Sequence, residues 1–274
     1  MSSTDTPDPL TILARGVRAL RIGYRAAGKG VIEFYNSSNL TFASSIAYYS
    51  LLSFFPFVVL AGAIYARIIG SDQWETLIAL IKNALPSQFD FLTIAVQDLS
   101  KASVRFSVFG TILTLWAAMG VFGALTSAVN HAWNVENPLG FFKHKLVAFV
   151  MMMCAFVLLM GAILVVSTSK AVGSGALLPT FIVVVGLIYY FAPNTRVRLR
   201  DVWFGAVLAG LLWRGAFAGF AWYLRSFSRL NLFGTVGTVM AFLVWIYLSA
   251  VILLYGVEVT AAYSRLRKAD QRKK

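Results

Sequence analysis

Two ionisable side chains lie inside long apolar stretches of this sequence, where a charge is expensive. Arg214 stands in LLWRGAFAGF and Glu258 in LLYGVEVTAAY. A charge at the centre of a bilayer costs roughly 3 kcal/mol, so such residues are expected to face protein or water and to mark a functional path. Helix rise separates the two by roughly 12 Å in depth, which leaves open a direct bridge or two separate positions. We predict that Arg214 lies in a polar internal cavity.

A seam of small and polar residues runs along the apolar stretch 105–130. Its members follow each other at spacings of four, three, four and three, which is one face of a helix. They are Trp116, Gly120, Gly123, Ser127 and Asn130. The seam is typical of a close helix–helix contact, and a substrate path is the alternative.

The apolar stretch 42–67 carries serines and tyrosines near one end, together with Pro56 in its middle. Polar side chains on an intramembrane helix indicate packing against other helices or a cavity lining. Joining these residues to the seam and the two charges gives one candidate polar cavity or substrate path. It comprises Ser45, Tyr48, Tyr49, Trp116, Asn130, Arg214 and Glu258.

Residue types that would support catalysis or metal binding do not occur in the required patterns. His131 and His144 are the only histidines, and no HExxH motif accompanies them. The segment GTVGTVMA lacks the lysine and the preceding strand of a phosphate-binding loop. We therefore expect no catalytic residues, no metal and no cofactor.

The composition indicates an integral membrane protein. Hydrophobic residues make up 59% of the 274, charged residues 13%, and mean hydropathy is +0.75. Soluble domains contain about 25% charged residues. We predict an all-α, polytopic fold with an N-terminal segment 1–35, a membrane domain 36–264 and a basic tail 265–274. Six transmembrane helices are expected at about 42–67, 105–130, 146–168, 171–192, 202–224 and 236–262.

The segment 68–104 is not apolar enough to cross, and two amphipathic patterns flank its Pro86. We predict an external helical hairpin between spans one and two. The distribution of lysine and arginine then sets the orientation. With the N-terminus inside, 16 basic residues fall on the inner side and 7 on the outer side, which predicts cytoplasmic termini.

A basic amphipathic helix is expected between Leu10 and Tyr35. Leu13, Val17, Leu20, Tyr24, Ala27 and Val31 form its apolar stripe. Basic residues form a second stripe, and we predict that Arg15, Arg18, Arg21 and Arg25 contact anionic lipid headgroups. A solvated juxtamembrane helix is the alternative. The net charge of +13 is attributed to topology and lipid contact, so no nucleic-acid partner is expected.

Four motifs in order resemble the YihY/virulence factor BrkB family of bacterial inner-membrane proteins. They are FASSIAYYSLLSFFPFVVL, LWAAMGVFGALTSAVNHAWNVENP, YYFAPNTRVRLRDVWFGAVLAGLLW and GTVGTVMAFLVWIYLSAVILLYGVEVTAAY, across about 30–265. The resemblance implies a multi-pass inner-membrane protein with six membrane helices and cytoplasmic termini. It also points to Asn130, Trp133, Pro193, Asn194, Arg214 and Glu258 as family-typical positions.

Members of this family carry different labels, among them ribonuclease BN, serum resistance, and lipid or envelope transport. Polar residues within the spans favour a transporter or exporter of a lipid-like or envelope-related substrate. A non-catalytic membrane scaffold is the alternative, and a membrane ribonuclease is the least favoured reading. The sequence leaves open the substrate, the direction and energy source of transport, and whether the chain forms a homo-oligomer.

Overall fold

A computed structural model describes residues 9–69, 108–135, 142–143, 145–151, 153, 177–227 and 234–272. The regular structure in these ranges is entirely helical, which confirms the predicted all-α class for this part of the chain. Six helices are α1 (Pro9–Asn36), α2 (Asn39–Ile69), α3 (Val108–Ala132), α4 (Leu177–Phe191), α5 (Leu199–Phe227) and α6 (Gly234–Gln271). Residues 145–151 are also helical.

Several sequence predictions concern residues outside the described ranges. These are nearly all of the external hairpin 68–104, most of span three at 146–168 and the start of span four at 171–176. The hairpin therefore stays a prediction.

Two of the described helical segments are long and apolar enough to cross a membrane by length and composition alone. They are Leu199–Ser226 and Val239–Gln271, and the apolar segment Leu178–Phe191 is shorter. The helices α2 and α3 contain 31 and 25 residues, or about 46 and 38 Å at 1.5 Å per residue. A bilayer core is about 30 Å thick. The described structure thus supports a membrane protein, while the number of spans and the orientation stay predictions.

Helix α6 is the central element, because it packs against each of the other five helices. Beside it, α2 pairs with α3 and α4 pairs with α5. The main apolar cluster is drawn from all six helices, with Val129, Val185, Ala206 and Leu254 among its buried members. The hydroxyl of Tyr189 on α4 donates a hydrogen bond to the carbonyl oxygen of Leu253, which ties α4 to α6.

Glycines allow the backbones of α5 and α6 to come into direct contact. A Cβ at Gly205 would collide with the side-chain oxygen of Thr260 and approach the Gly256 carbonyl oxygen. A Cβ at Gly256 would meet Ala209 and the Tyr189 hydroxyl. Small residues at such crossings are the usual means of helix packing within membranes.

The outer faces of the helices are apolar rather than charged. On α5, Trp203, Val207, Leu211 and Trp222 are exposed, and on α6 Val244 is exposed. Apolar surface of this extent is rare on proteins in water and is solvated well by lipid tails. The burial pattern therefore agrees with a bundle that sits in a bilayer.

Candidate functional site

One end of the bundle, which we call the junction end, collects buried polar and charged residues. The starts of α2 and α5 meet there with the ends of α3, α4 and α6. Asn39, Asn130, Asn194, Asp201 and Glu258 make contacts between these elements. The shared end means that neighbouring helices alternate in direction, as a chain that crosses a membrane repeatedly must.

Glu258 is the acid of the candidate path, and it is buried, with 2% of its surface exposed. Asn39 donates a hydrogen bond from Nδ2 to Oε1 of Glu258 over 2.7 Å, and Ser37 donates from Oγ to the same oxygen over 3.3 Å. Ser37 belongs to the short turn between α1 and α2, and Asn39 is the first residue of α2. The carboxylate therefore holds the α1–α2 junction against α6.

The salt bridges between described residues do not include Arg214 with Glu258. Glu258 takes its hydrogen bonds from neutral donors, whereas Arg214 is exposed on α5. Of the two arrangements that the sequence left open, the structure places these residues at two separate positions.

Three arginine–acid pairs lie at the junction end, along the part of α6 that follows Glu258. Arg265 on α6 pairs with Glu33 on α1, and its Nη1 also donates to the Ala132 carbonyl oxygen at the end of α3 over 3.0 Å. A single side chain thus connects three helices. Because it also satisfies a carbonyl oxygen that α3 leaves free, it acts as a cap for that helix.

The second pair joins α6 to the start of α5. Arg267 Nη1 lies 2.7 Å from Asp201 Oδ1, and Asp201 is fully buried. Neither carboxylate oxygen of Asp201 accepts an aligned hydrogen bond, so the contact is an ion pair held by proximity. In the third pair, Arg18 Nε on α1 lies 2.6 Å from Asp270 Oδ2, with both side chains partly exposed.

The family-typical positions Asn130, Trp133, Pro193 and Asn194 form a joint between α3 and the segment after α4. Asn130 accepts a hydrogen bond at Oδ1 from the backbone N–H of Asn194 over 2.8 Å. Pro193 is buried, and Trp133 packs against the main apolar cluster. These contacts show Asn130 holding a loop, which is a positioning role.

The predicted residues of α2 and the seam of α3 contact each other. The rings of Tyr49 and Trp116 meet edge to face with centroids 6.1 Å apart, and Tyr48 meets Tyr49 in the same way at 5.6 Å. A Cβ at Gly120 would collide with the Tyr49 ring. Ser45 donates its hydroxyl hydrogen bond to the Thr41 carbonyl oxygen within α2. At Trp116 and Gly120 the seam is therefore a close contact between α2 and α3, as the first of the two readings expects.

Arg214 lies near the middle of α5, as the sixteenth of its 29 residues. It is about 22 Å from the first residue of the helix and about 20 Å from the last. The side chain is exposed, and it has neither a salt bridge nor a hydrogen bond to any other described residue. A charge at this depth cannot face lipid tails without a partner or water.

The surface beside Arg214 is unusually open. Among the residues that the structure describes, a Cβ at Gly215 or at Gly219 would have no neighbour within 4 Å, and Ala218 between them is exposed. We call the surface of Arg214, Gly215, Ala218 and Gly219 the Arg214 groove. The opposite side of the same helix is filled by Trp213, Phe217, Phe220 and Trp245, whose rings contact each other.

The histidines contribute no recognisable metal site in the described residues, which hold no group of three or more histidine, cysteine or acidic side chains suited to a metal ion. His131 is exposed, and its ring lies 6.2 Å from that of Phe42. His144 lies outside the described ranges.

Several members of the junction-end network were not singled out from the sequence, among them Glu33, Asn39, Asp201 and Arg267. Each lies next to the end of an apolar stretch, where charged and polar residues are usual. The available signals were the position of Asn39 as the first residue of α2 and that of Asp201 in the first turn of α5. Both residue types are common at helix starts, so the signals predict a boundary and not a partner.

The sequence was also compared with known proteins. The model of the family described as "Virulence factor BrkB" matches residues 32–274. "Putative ribonuclease-like protein YfkH" of Bacillus subtilis is 26% identical over 250 residues, covering 82% of this chain and 90% of the relative. A "UPF0761 membrane protein" of Pseudoalteromonas translucida is 27% identical over 240 residues, covering 81% of this chain and 80% of the relative.

A further "UPF0761 membrane protein", from Alkalilimnicola ehrlichii, is 26% identical over 263 residues, covering 88% of this chain. The match spans only 58% of the length of that relative. No solved structure matches the chain.

Proposed function

Because the chain belongs to the virulence factor BrkB family, with relatives named as membrane proteins, we propose that it is a multi-pass protein of the bacterial inner membrane that transports or exports a lipid-like or envelope-related substrate. The observation that carries this proposal is the Arg214 groove. An exposed arginine halfway along an apolar helix requires a counter-charge or water, and a transported anion supplies the first of these.

The Arg214 groove combines open surface with a positive charge, as the binding of an anionic amphiphile requires. Gly215 and Gly219 leave room for a group to approach the backbone of α5, and the guanidinium of Arg214 binds phosphate or carboxylate oxygens with paired N–H donors. Leu211 and Trp222 are exposed on the same helix, above and below the arginine, and they offer apolar surface to an acyl chain. The chemistry favours a headgroup with a negative charge attached to an apolar tail.

The orientation in this proposal places the junction end in the cytoplasm. Arg196, Arg198 and Arg200 are exposed there beside the start of α5, and the basic C-terminal part of α6 ends on the same side. Such an excess of basic residues is typical of cytoplasmic loops.

The proposal is tested by native mass spectrometry of the purified full-length protein, with Arg214→Ala, Arg214→Lys and Gly219→Leu as variants. The wild-type protein is expected to retain an anionic amphiphile that Arg214→Ala releases and that Arg214→Lys partly keeps. Gly219→Leu keeps the charge and fills the groove, so it is also expected to release the ligand. A folded Arg214→Ala protein that carries the same anionic species in the same amount would contradict the proposal.

A non-catalytic scaffold is the second candidate, and the junction end favours it. The buried pairs of Asn39 with Glu258 and of Asp201 with Arg267 fix α2 and α5 to α6, as a rigid platform for other envelope proteins requires. This reading predicts that folded Arg214→Ala and Gly219→Leu proteins support normal envelope growth, whereas transport predicts a defect in both.

Enzymatic activity is not part of the proposal, although one relative is named ribonuclease-like. We propose that the chain does not cleave RNA and needs no cofactor. The test is incubation of the purified protein with RNA in the presence of Mg²⁺, Mn²⁺ or Zn²⁺. Cleavage that is abolished in a folded variant of this chain would overturn this part of the proposal.

A further inference from the structure

Helix α1 presents three different faces, and one of them is fastened to the bundle. Gly23, Ala26, Gly30 and Phe34 follow each other at spacings of three or four, and all four are buried. A Cβ at Gly23 would collide with Phe204 of α5, and one at Gly30 would collide with Val259 of α6. The Tyr255 hydroxyl of α6 also donates to a carbonyl oxygen of α1, over 3.1 Å. The small residues thus form the packing face of α1.

A second face of α1 is apolar and uncovered. Tyr24 is 84% exposed and Leu20 is 68% exposed. The full outward stripe is Val17, Leu20, Tyr24, Val31 and Tyr35. These side chains follow the helical period, so they lie side by side along one line of the helix. In water such a stripe would be driven to bury itself, with about 25 cal/mol for each square ångström of apolar surface.

The contacts of α1 fix its position along the axis of the bundle. Phe204, which meets Gly23, is the sixth residue of α5, and its neighbour Trp203 is exposed. Tryptophan is enriched where a membrane helix passes through the headgroup layer. The middle of the outward stripe, beside Gly23, therefore lies at the level where α5 begins, and an interfacial helix buries its apolar face at that level.

The third face of α1 carries positive charge next to the stripe. Arg21, Arg25 and Lys29 are exposed, and the described residues give them no acidic partner. Arg18 differs, because Asp270 lies 2.6 Å from it. The predicted headgroup contacts at Arg21 and Arg25 remain available, whereas the charge of Arg18 is already matched within the protein.

We propose that α1 is a docked interfacial helix whose occupant is an anionic bilayer surface, with Val17, Leu20, Tyr24, Val31 and Tyr35 inserted among acyl chains and Arg21, Arg25 and Lys29 on headgroup phosphates. Charge complementarity selects this occupant, since a second copy of the same basic face would repel the first. The inference does not depend on transport, because it concerns the surface of α1 and not the Arg214 groove.

The first test places single labels on α1 of the full-length protein. Cys154, the only native cysteine, is replaced by alanine, and Tyr24→Cys or Lys29→Cys is labelled with an environment-sensitive fluorophore. In nanodiscs, lipids with brominated chains are expected to quench the label at position 24 strongly and the label at 29 weakly. Equal quenching at both positions, or disulfide-linked dimers of Tyr24→Cys, would overturn the proposal, the second outcome in favour of contact between copies.

The second test removes unpaired positive charge and salt-bridged positive charge of α1 in separate variants. The variant Arg21→Gln/Arg25→Gln is compared with Arg18→Gln in nanodiscs that contain phosphatidylcholine with or without phosphatidylglycerol. In the double variant, the ratio of anionic to neutral lipid bound is expected to fall several-fold, because each exposed cation attracts the anionic surface separately. Arg18→Gln is expected to keep that preference.

An unchanged lipid preference in the double variant, with its fold intact by circular dichroism, would refute the anionic occupant. The two proposals fail separately. Arg214→Ala can lose the amphiphile while the label at position 24 stays in lipid. Conversely, α1 can lie outside the lipid while the Arg214 groove stays intact.

Discussion

Asn39 and Glu258 are 219 positions apart in the chain, yet Asn39 Nδ2 donates to Glu258 Oε1 over 2.7 Å. Both side chains are almost completely buried. The bond joins the first residue of α2 to the inner part of α6, which is the helix that contacts every other one described. Glu258 therefore acts in this structure as a structural acceptor for the α1–α2 junction, beside any role in a substrate path.

Replacing Glu258 by alanine is expected to destabilise the fold, because the buried Asn39 amide would lose its carboxylate acceptor and keep only the Ser37 hydroxyl. Leaving one such donor unsatisfied costs about 1–3 kcal/mol. Glu258→Gln keeps a carbonyl oxygen for Asn39 and is expected to cost less than Glu258→Ala. The measurement is the free energy of unfolding in detergent micelles, followed by tryptophan fluorescence.

Ser37→Ala is the comparison variant for the same site, because it leaves the bond from Asn39 to Glu258 in place. It removes the Ser37 hydroxyl, which contacts Glu258, the Phe34 carbonyl oxygen and the Asn39 amide. Its effect should be smaller than that of Glu258→Ala. Equal stability of Glu258→Ala and the wild-type protein would show that the carboxylate does not hold the junction.

Helix periods and hydropathy predicted much of this fold, but not the partners that helices choose. The pattern of Leu20, Tyr24 and Val31 indicated an amphipathic α1, and the structure has that helix at Pro9–Asn36. The same pattern did not show that Gly23 and Gly30 form the packing face, since glycine weakens a helix on its own. The helix is stable there because its small residues allow close contact with α5 and α6.

The candidate site could be predicted only in part, because a sequence shows which charges need a partner but not which groups provide it. A charge in an apolar helix indicates that something must match it, and this was inferred for both Arg214 and Glu258. The group that neutralises or hydrogen-bonds the charge depends on how the neighbouring helices are rotated and how deep they lie. The residues of one helix do not determine either. Glu258 accepts hydrogen bonds from neutral donors on α2 and on the preceding turn, while Arg214 lies on an exposed face of α5.

The two ion pairs Asp201–Arg267 and Arg18–Asp270 are expected to differ strongly in their contribution to stability. Asp201 is fully buried, so Arg267→Ala would leave a carboxylate uncompensated, at a cost of about 3–5 kcal/mol. Arg18 is 42% exposed, and Arg18→Ala is expected to cost about 0–1 kcal/mol. Unfolding in micelles at low and high salt measures both.

Salt dependence separates the two cases further, because ions screen exposed charges more than buried ones. The contribution of Arg18 should shrink at high salt, while that of Arg267 should persist. Equal costs for Arg267→Ala and Arg18→Ala at both salt concentrations would contradict the buried position of Asp201.

The glycines of α5 provide a prediction in which the same substitution has opposite effects at two positions of one helix. Gly205 meets Thr260 and the Gly256 carbonyl oxygen, so Gly205→Ala must push α5 away from α6. Overpacking of this kind costs about 1–3 kcal/mol. Gly219 has open space around it, so Gly219→Ala is expected to be neutral or to stabilise the helix by up to about 1 kcal/mol. Midpoints of thermal unfolding in micelles, compared with the wild-type protein, measure both effects.

Gly210→Ala serves as a third point on the same helix, because its Cβ would meet side-chain atoms of Ile182 and Leu178 on α4 and no backbone atom. Ile182 can change rotamer, so the expected loss is smaller than for Gly205→Ala. The order of stability should therefore be Gly219→Ala, then Gly210→Ala, then Gly205→Ala. A Gly219→Ala protein less stable than Gly205→Ala would mean that the surface beside Arg214 is packed in the membrane, and the proposed binding groove would be closed.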